Sequence, residues 1–189
     1  SKAKSEVEAL SDEKKKQVFN KFMNDTKMAG YIDASGKYIK GIEDFVSKAQ
    51  YERIEHKNQV INDILDNWIT LSQNFKFHAI FATSSIPEAI EYYRLLKVKI
   101  QEKKLDLKFT ALFDSNIDND DGAKSAFKED GIVEIMEDYN KRYEQDFSLK
   151  IFSKFKKDIA SRLAHKKPYN YIEKNPEKHI DLLIVVDQM

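Results

Sequence analysis

The sequence predicts a helix-rich α/β domain built on a short parallel sheet, and three observations carry that expectation. Three apolar runs, Phe77 to Thr83, Lys108 to Phe113 and Ile180 to Val186, have the length and composition of strands. Around them, apolar residues recur at helical spacing over long stretches. Only five Gly and three Pro interrupt the 189 residues, so those stretches are free to run on as long helices. A chain of this length with 41% hydrophobic residues buries one core of its own.

Taken in order, Val18, Phe19, Phe22 and Met23 form an apolar stripe behind a candidate cap at Ser11, with Gly30 closing the helix. Residues 30 to 42 read as a turn-rich connector. Val60, Ile61, Ile64, Leu65, Trp68 and Ile69 predict an amphipathic helix over 57 to 73, with Trp68 in the core rather than serving as a base-stacking platform. The first strand then runs into a helix opened by Ser85, with Pro87 in its first turn and Glu88 three residues beyond the cap, a capping box. Ile90, Tyr93, Leu96 and Ile100 make that helix's inner stripe, and the runs on either side of it predict a βαβ unit with parallel strands.

About 65 residues separate the second and third strands. They hold two stripes: Ile132, Ile135, Met136, Tyr139, Tyr143 and Phe147, then Phe152, Phe155, Ile159 and Leu163. A plain crossover needs only about a dozen residues or somewhat more, so this stretch reads as a helical insertion that could serve as a docking surface. The third run contains an unbroken Leu-Leu-Ile-Val-Val, which suits a strand buried on both faces.

Charge and composition narrow the function. Lys plus Arg number 32 and Asp plus Glu number 32, so any nucleic-acid surface has to be local. With no cysteine, thiolate chemistry and disulfides are excluded, and the balance leans towards a cytoplasmic protein. The apolar runs are far too short to span a bilayer, and no N-terminal signal pattern is present.

The junction of the first strand and its helix carries the strongest chemical signal. The first N–H groups of a helix lack intrahelical partners and sit at the positive end of its dipole, so a phosphate can accept from them. Thr83, Ser84 and Ser85 add hydroxyls at that point. The plainer alternative is that Ser85 only caps the helix.

Asp114 and Asp187 each follow an apolar strand, at the edge where open α/β sheets bind ligands. Together they could hold Mg²⁺ or act as an acceptor pair in a phosphoryl-handling enzyme, or each could simply open a turn. The acidic run Asp114, Asp118, Asp120 and Asp121 before Gly122 fails as a calcium loop, because that register puts Ile117 and Lys128 where Asp and Glu are required.

His56, His78, His165 and His179 are scattered along the sequence without ligand spacing. No G-x-S-x-G elbow occurs, and Gly122 to Ser125 lacks the upstream glycine of a phosphate loop. Lysines cluster at 14 to 16, 97 to 108, 154 to 157 and 166 to 167, where they could touch phosphates or be solvated helix faces. A protein-docking module on the helices of 122 to 167, without a nucleic-acid role, is the third reading.

The segment FKFHAIFATSSIPEAIEYYRLLK at 75 to 97 resembles motif IV of the second motor domain in the restriction (HsdR) subunit of type I restriction-modification enzymes. LDLKFTALFDSNIDND at 105 to 120, GIVEIMEDYNKRYEQDF at 131 to 147 and DLLIVVDQM at 181 to 189 follow in the order and spacing of that subunit, and 51 to 75 resembles the helix leading into the motif.

The resemblance implies a partial RecA-like fold over 57 to 189, interrupted in motif V, with 1 to 56 as a helical lead-in between motor domains. It implies ATP-driven translocation of double-stranded DNA, with ATP and Mg²⁺ bound mainly outside this segment, and cleavage elsewhere in the subunit. The isolated fragment is then expected to be catalytically inactive. The partners it implies are the first motor domain and the modification (HsdM) and specificity (HsdS) subunits. DNA-backbone contacts would fall on Thr83, Ser84 and Ser85, with Asp187 and Gln188 near the motif V edge.

Overall fold

In the computed structural model, residues 12–46, 48–113, 123–171 and 174–186 are described. The chain divides into two compact units, Ser1–His56 and Lys57–Met189.

In the first unit, helix α1 spans Glu13–Asp25. Asp12 caps it, its carboxylate accepting from the N–H groups of Lys14 at 2.9 Å and Lys15 at 3.2 Å. Ser11 lies outside the described residues. Gly30 does not close the helix, which ends five residues earlier. What Gly30 provides is clearance, since a Cβ there would lie 1.9 Å from the Tyr38 hydroxyl.

The expected connector contains a small antiparallel hairpin, β1 (Tyr31–Ile32) paired with β2 (Tyr38–Ile39). Its turn is local chemistry: Asp33 Oδ1 accepts from Ser35 N, Ser35 Oγ and Lys37 N, and Gly36 takes φ +82° where a side chain would be strained. A 3₁₀ turn at Glu43–Phe45 and helix α2 (Lys48–Tyr51) follow.

The second unit carries the sheet. The helix expected over 57 to 73 is α3 (Ile54–Asp66) followed by a single turn, α4 (Trp68–Leu71), with the break at Asn67. There the Asn67 side-chain amide donates to the Asp63 carbonyl, the local competition with helical bonding that Asn favours. Trp68 is buried in the core, as its stripe predicted.

Strand β3 (Ala79–Thr83) leads into α5 (Ile86–Lys103), which ends at Lys104 in the left-handed region. After β4 (Phe109–Leu112) come α6 (Ala123–Tyr143) and α7 (Phe152–Leu163), and then β5 (Leu182–Val186).

All three strands are parallel, in the order β3-β5-β4. The two strands flanking α5 are therefore in one sheet but not adjacent; β5 lies between them. The central place goes to the strand apolar on both faces, because only there are both faces and both hydrogen-bonding edges covered. Leu182, Leu183 and Ile184 are all buried. Helix α5 packs on the sheet through Phe81 against Tyr92, centroids 4.8 Å apart, and Tyr93 against Phe109 at 4.9 Å.

The two helices between β4 and β5 complete this core. Ile132, Ile135, Met136 and Tyr139 of α6, with Phe155 and Ile159 of α7, are buried in the cluster that holds the sheet residues. Among the described residues of 123 to 167, Leu149 is the large apolar side chain left exposed, so the apolar surface a docking module requires is spent on the core instead. Phe147 lies past the end of α6, held by Asn140, which accepts from its N–H and donates to its carbonyl.

Gly131 lets α5 and α6 approach closely. A methyl group there would lie 2.4 Å from Ile90 Cδ1, and Ile90 is fully buried. Gly131→Ala should therefore lower unfolding free energy by about 1–3 kcal/mol through overpacking, despite alanine's better helix propensity. Trimming the neighbour in Gly131→Ala/Ile90→Val should recover part of the loss, measured by urea unfolding.

At the head of β5, Asp181 accepts from Lys108 N at 2.8 Å and is almost fully buried. Burial raises its pKa, and the Lys108 N–H and nearby positive charge offset this only in part. A carboxyl whose folded pKa exceeds its unfolded value favours the fold below the unfolded pKa and loses that contribution as pH rises through the folded one. Asp181→Asn keeps an acceptor for Lys108 N–H, so it should match the wild type in acid and be the more stable protein at neutral pH, read from unfolding midpoints across pH.

Candidate functional site

The carboxyl edge of the sheet brings Thr83, Ser84 and Ser85 together at the end of β3. Thr83 is in register with Val186, the last residue of β5. Its buried hydroxyl donates to the Val185 carbonyl at 3.0 Å, with the Ser85 carbonyl a longer acceptor at 3.3 Å. This ties the strand end to its neighbour and turns the hydroxyl away from solvent.

Ser85 is the N-cap of α5, with extended backbone at φ −157° and ψ 160°, and its Oγ accepts from Glu88 N at 3.3 Å. The return half of the capping box is shifted by one residue. Glu88 Oε2 accepts from Ser84 N at 2.8 Å and from Ser84 Oγ at 2.7 Å, not from Ser85 N–H.

One carboxylate oxygen thus gathers the two Ser84 donors that an incoming anion would use. Pro87 has no N–H to offer, and those of Glu88 and Ala89 go to the Ser85 hydroxyl and carbonyl. The Ser85 and Ile86 N–H groups are the remaining backbone donors of this helix start. In this conformation the Glu88 carboxylate is the acceptor for both Ser84 donors.

Asp114, Asp187 and Gln188 lie outside the described residues, as does the acidic run to Gly122. β4 and β5 are neighbours, so the chain leaves both strands at the same edge.

The lysine cluster at 97 to 108 is largely committed to ion pairs. Lys97 meets Asp138 at 2.5 Å, Lys99 meets Glu102, Lys103 meets Asp66, and Lys108 meets Asp106. Among the described residues, no group of three or more His, Asp or Glu is arranged to hold a metal ion. Likewise, no described helix is long and apolar enough to cross a membrane.

A buried polar cluster around Arg162, sharing no residue with this edge, does not stand out in the sequence. Arg162 Nε donates to Tyr139 Oη at 2.9 Å and to Asp158 at 3.0 Å, and Nη1 to the Lys178 carbonyl at 3.1 Å. Its guanidinium lies 4.0 Å from the Tyr143 ring centre and 4.1 Å from that of Tyr169. Asp158 also accepts from the Tyr139 and Tyr169 hydroxyls. Burial raises the pKa of each of these tyrosines, that of Tyr169 to about 12. The signal was present as Asp158 and Arg162 at helical spacing on the same helix as a buried stripe.

Comparison with known proteins finds a match between residues 75–189 and the family model for type I restriction enzyme subunit R domain 3. The endonuclease subunit of type I restriction enzyme SauCOLORF180P from Staphylococcus aureus (strain COL) is 28% identical over 135 residues, 68% of this chain and 13% of that protein. The SauMRSORF196P endonuclease subunit from Staphylococcus aureus (strain MRSA252) matches with the same identity and coverage. The chain spans about 13% of the length of these curated relatives.

The cap itself is testable as structure. Ser85→Ala should cost about 1 kcal/mol of stability and Ser85→Gly only a few tenths, since glycine leaves the N–H groups open to water. Chemical denaturation of the two variants side by side measures the difference.

Proposed function

The chain belongs to the type I restriction enzyme subunit R domain 3 family, and from that premise we propose that it is part of the DNA-translocating motor of a restriction subunit, RecA-like in fold. The observation that carries the site is the pair of Ser84 donors converging on one Glu88 oxygen at the carboxyl edge of a parallel sheet. Donors so arranged can donate to a phosphate oxygen as they do to the carboxylate. On this reading a DNA backbone phosphate displaces Glu88, and Ser84 and Ser85 grip it, with Thr83 holding the strand end in place. Asp187 and Gln188 follow β5 and would extend the contact along the same edge.

Gripping of this kind suits a motor, because phosphate contacts carry no sequence information and release at each step. The partners are double-stranded DNA, the first motor domain of the same chain, and the modification and specificity subunits. ATP and Mg²⁺ would act in the complete protein. The described residues offer no glycine-rich phosphate cradle and no group of His, Asp or Glu arranged to hold a metal ion. The isolated chain is on this reading inactive in ATP hydrolysis and DNA cleavage.

The chain alone should bind DNA weakly, without sequence preference, and with a small salt dependence, as expected for one side of a two-domain cleft. In the complete subunit, Ser84→Ala with Ser85→Gly should slow ATP-driven displacement of a triplex-forming strand while thermal unfolding stays near that of the wild type. Unchanged displacement by a well-folded double variant would leave Ser85 an ordinary helix cap.

A further inference from the structure

At the opposite, amino end of the sheet, a cleft opens between three segments remote in sequence: Phe75–His78, Arg162–His165 and His179–Asp181. The first wall is held by strained backbone. Gln73, Asn74 and Phe75 have φ of 48°, 57° and 61°, a run in the left-handed region that non-glycine residues rarely enter. Ser72, buried beneath them, fixes this turn: its Oγ accepts from Phe75 N at 3.0 Å and its carbonyl from Lys76 N at 2.9 Å and Phe77 N at 3.0 Å. These bonds hold the strained turn, and with it the first wall, in one conformation.

The floor is Arg162, 2% exposed, with its guanidinium against the Tyr143 and Tyr169 rings. A guanidinium carries five N–H donors, and its bonds to Tyr139, Asp158 and the Lys178 carbonyl engage Nε and Nη1. Lys76, His78 and His165 form an exposed rim, and the His165 and His179 rings stand 6.0 Å apart. The one acidic lining residue, Asp181, is almost fully buried and accepts from Lys108 N. The cleft is partly open to solvent, and its void of ≈ 20 Å³ gives room for about one water-sized group.

We propose that this cleft binds a phosphate group. One oxygen enters the void towards Arg162, and the remainder stays in the mouth against Lys76, His78 and His165. A planar guanidinium fixed by two rings suits phosphate better than a flexible ammonium, and a rim of lysine and imidazole gives charge and donors without blocking entry. The site shares no residue with the Ser84–Ser85 edge, so each can fail without the other.

The test is titration of the 189-residue chain with inorganic phosphate, against chloride at matched ionic strength, followed by histidine-ring correlation spectra and calorimetry. The variant is Lys76→Ser with His165→Gln, both exposed, which leaves the Arg162 bonds intact. Phosphate should move the His78, His165 and His179 signals saturably, and the variant should bind about tenfold more weakly, equivalent to about 1.4 kcal/mol. A short DNA duplex that competes for those signals identifies the nucleic-acid backbone as the source of the phosphate. A duplex without effect, where inorganic phosphate binds, identifies a free phosphate or nucleotide. Absence of any saturable shift beyond chloride, or equal affinity in a folded variant, overturns the proposal.

Discussion

The pairing of β5 with both of its neighbours is the interaction on which the rest of this unit depends. Five residue pairs join it to β3 and four to β4, while β3 and β4 share no ladder. Without Leu182–Val186 there is no sheet for α5 and α6 to cover. The same strand sets the carboxyl edge, because the Val185 carbonyl receives the Thr83 hydroxyl and so anchors the point from which α5 departs. The capped helix start is thus positioned by a strand about a hundred residues away.

How much of this was legible in the sequence follows from the range of each signal. The three strands, the cap at Ser85 and the burial of Trp68 rest on local pattern, and the pattern suffices. The order of strands is not local; it was hinted at only by the double-faced apolar run of β5, which demands a central place. The hairpin at 31 to 39 was read as a connector because two-residue strands have no periodicity to detect, although Asp33 and Gly36 mark its turn. At the candidate site, Ser85 and Glu88 were legible as a capping box. That Glu88 would engage Ser84 instead of Ser85 depends on side-chain reach and could not be read from spacing. Arg162 and Asp158 look in sequence like one more surface ion pair, of the kind that contributes little. Their burial arises only when Tyr139, Tyr143 and Tyr169 fold around them.

The two ends of the sheet are built by different means. Around Ser84 and Ser85 the side-chain bonds mostly link residues a few positions apart, and they are exposed or only part-buried. At the amino end the bonds join distant segments: Tyr143 to the His179 carbonyl at 2.5 Å, Arg162 to the Lys178 carbonyl, and Lys108 to Asp181. Burial also raises the pKa of the tyrosines of this region, so their hydroxyls stay donors further into the alkaline range. A local cap can exchange one acceptor for another with little effect on the core, whereas rearranging the amino end would disturb bonds that connect α6, α7 and β5.

The late position of β5 in the chain has a consequence for how the protein is made. The Thr83–Val185 bond spans 102 residues, and both ladders of the sheet wait on β5, the last strand in chain order among the described residues. During synthesis β3 and β4 therefore emerge with open, apolar edges and nothing of their own to pair with. Closure of so large a loop is slow, and an unpaired edge in the interval is an invitation to another nascent chain. Helices α5 and α6, which form locally and meet through Gly131 and Ile90, are the elements able to shield those strands first. Their close fit then matters to the yield of folded molecules as well as to the stability of the finished one.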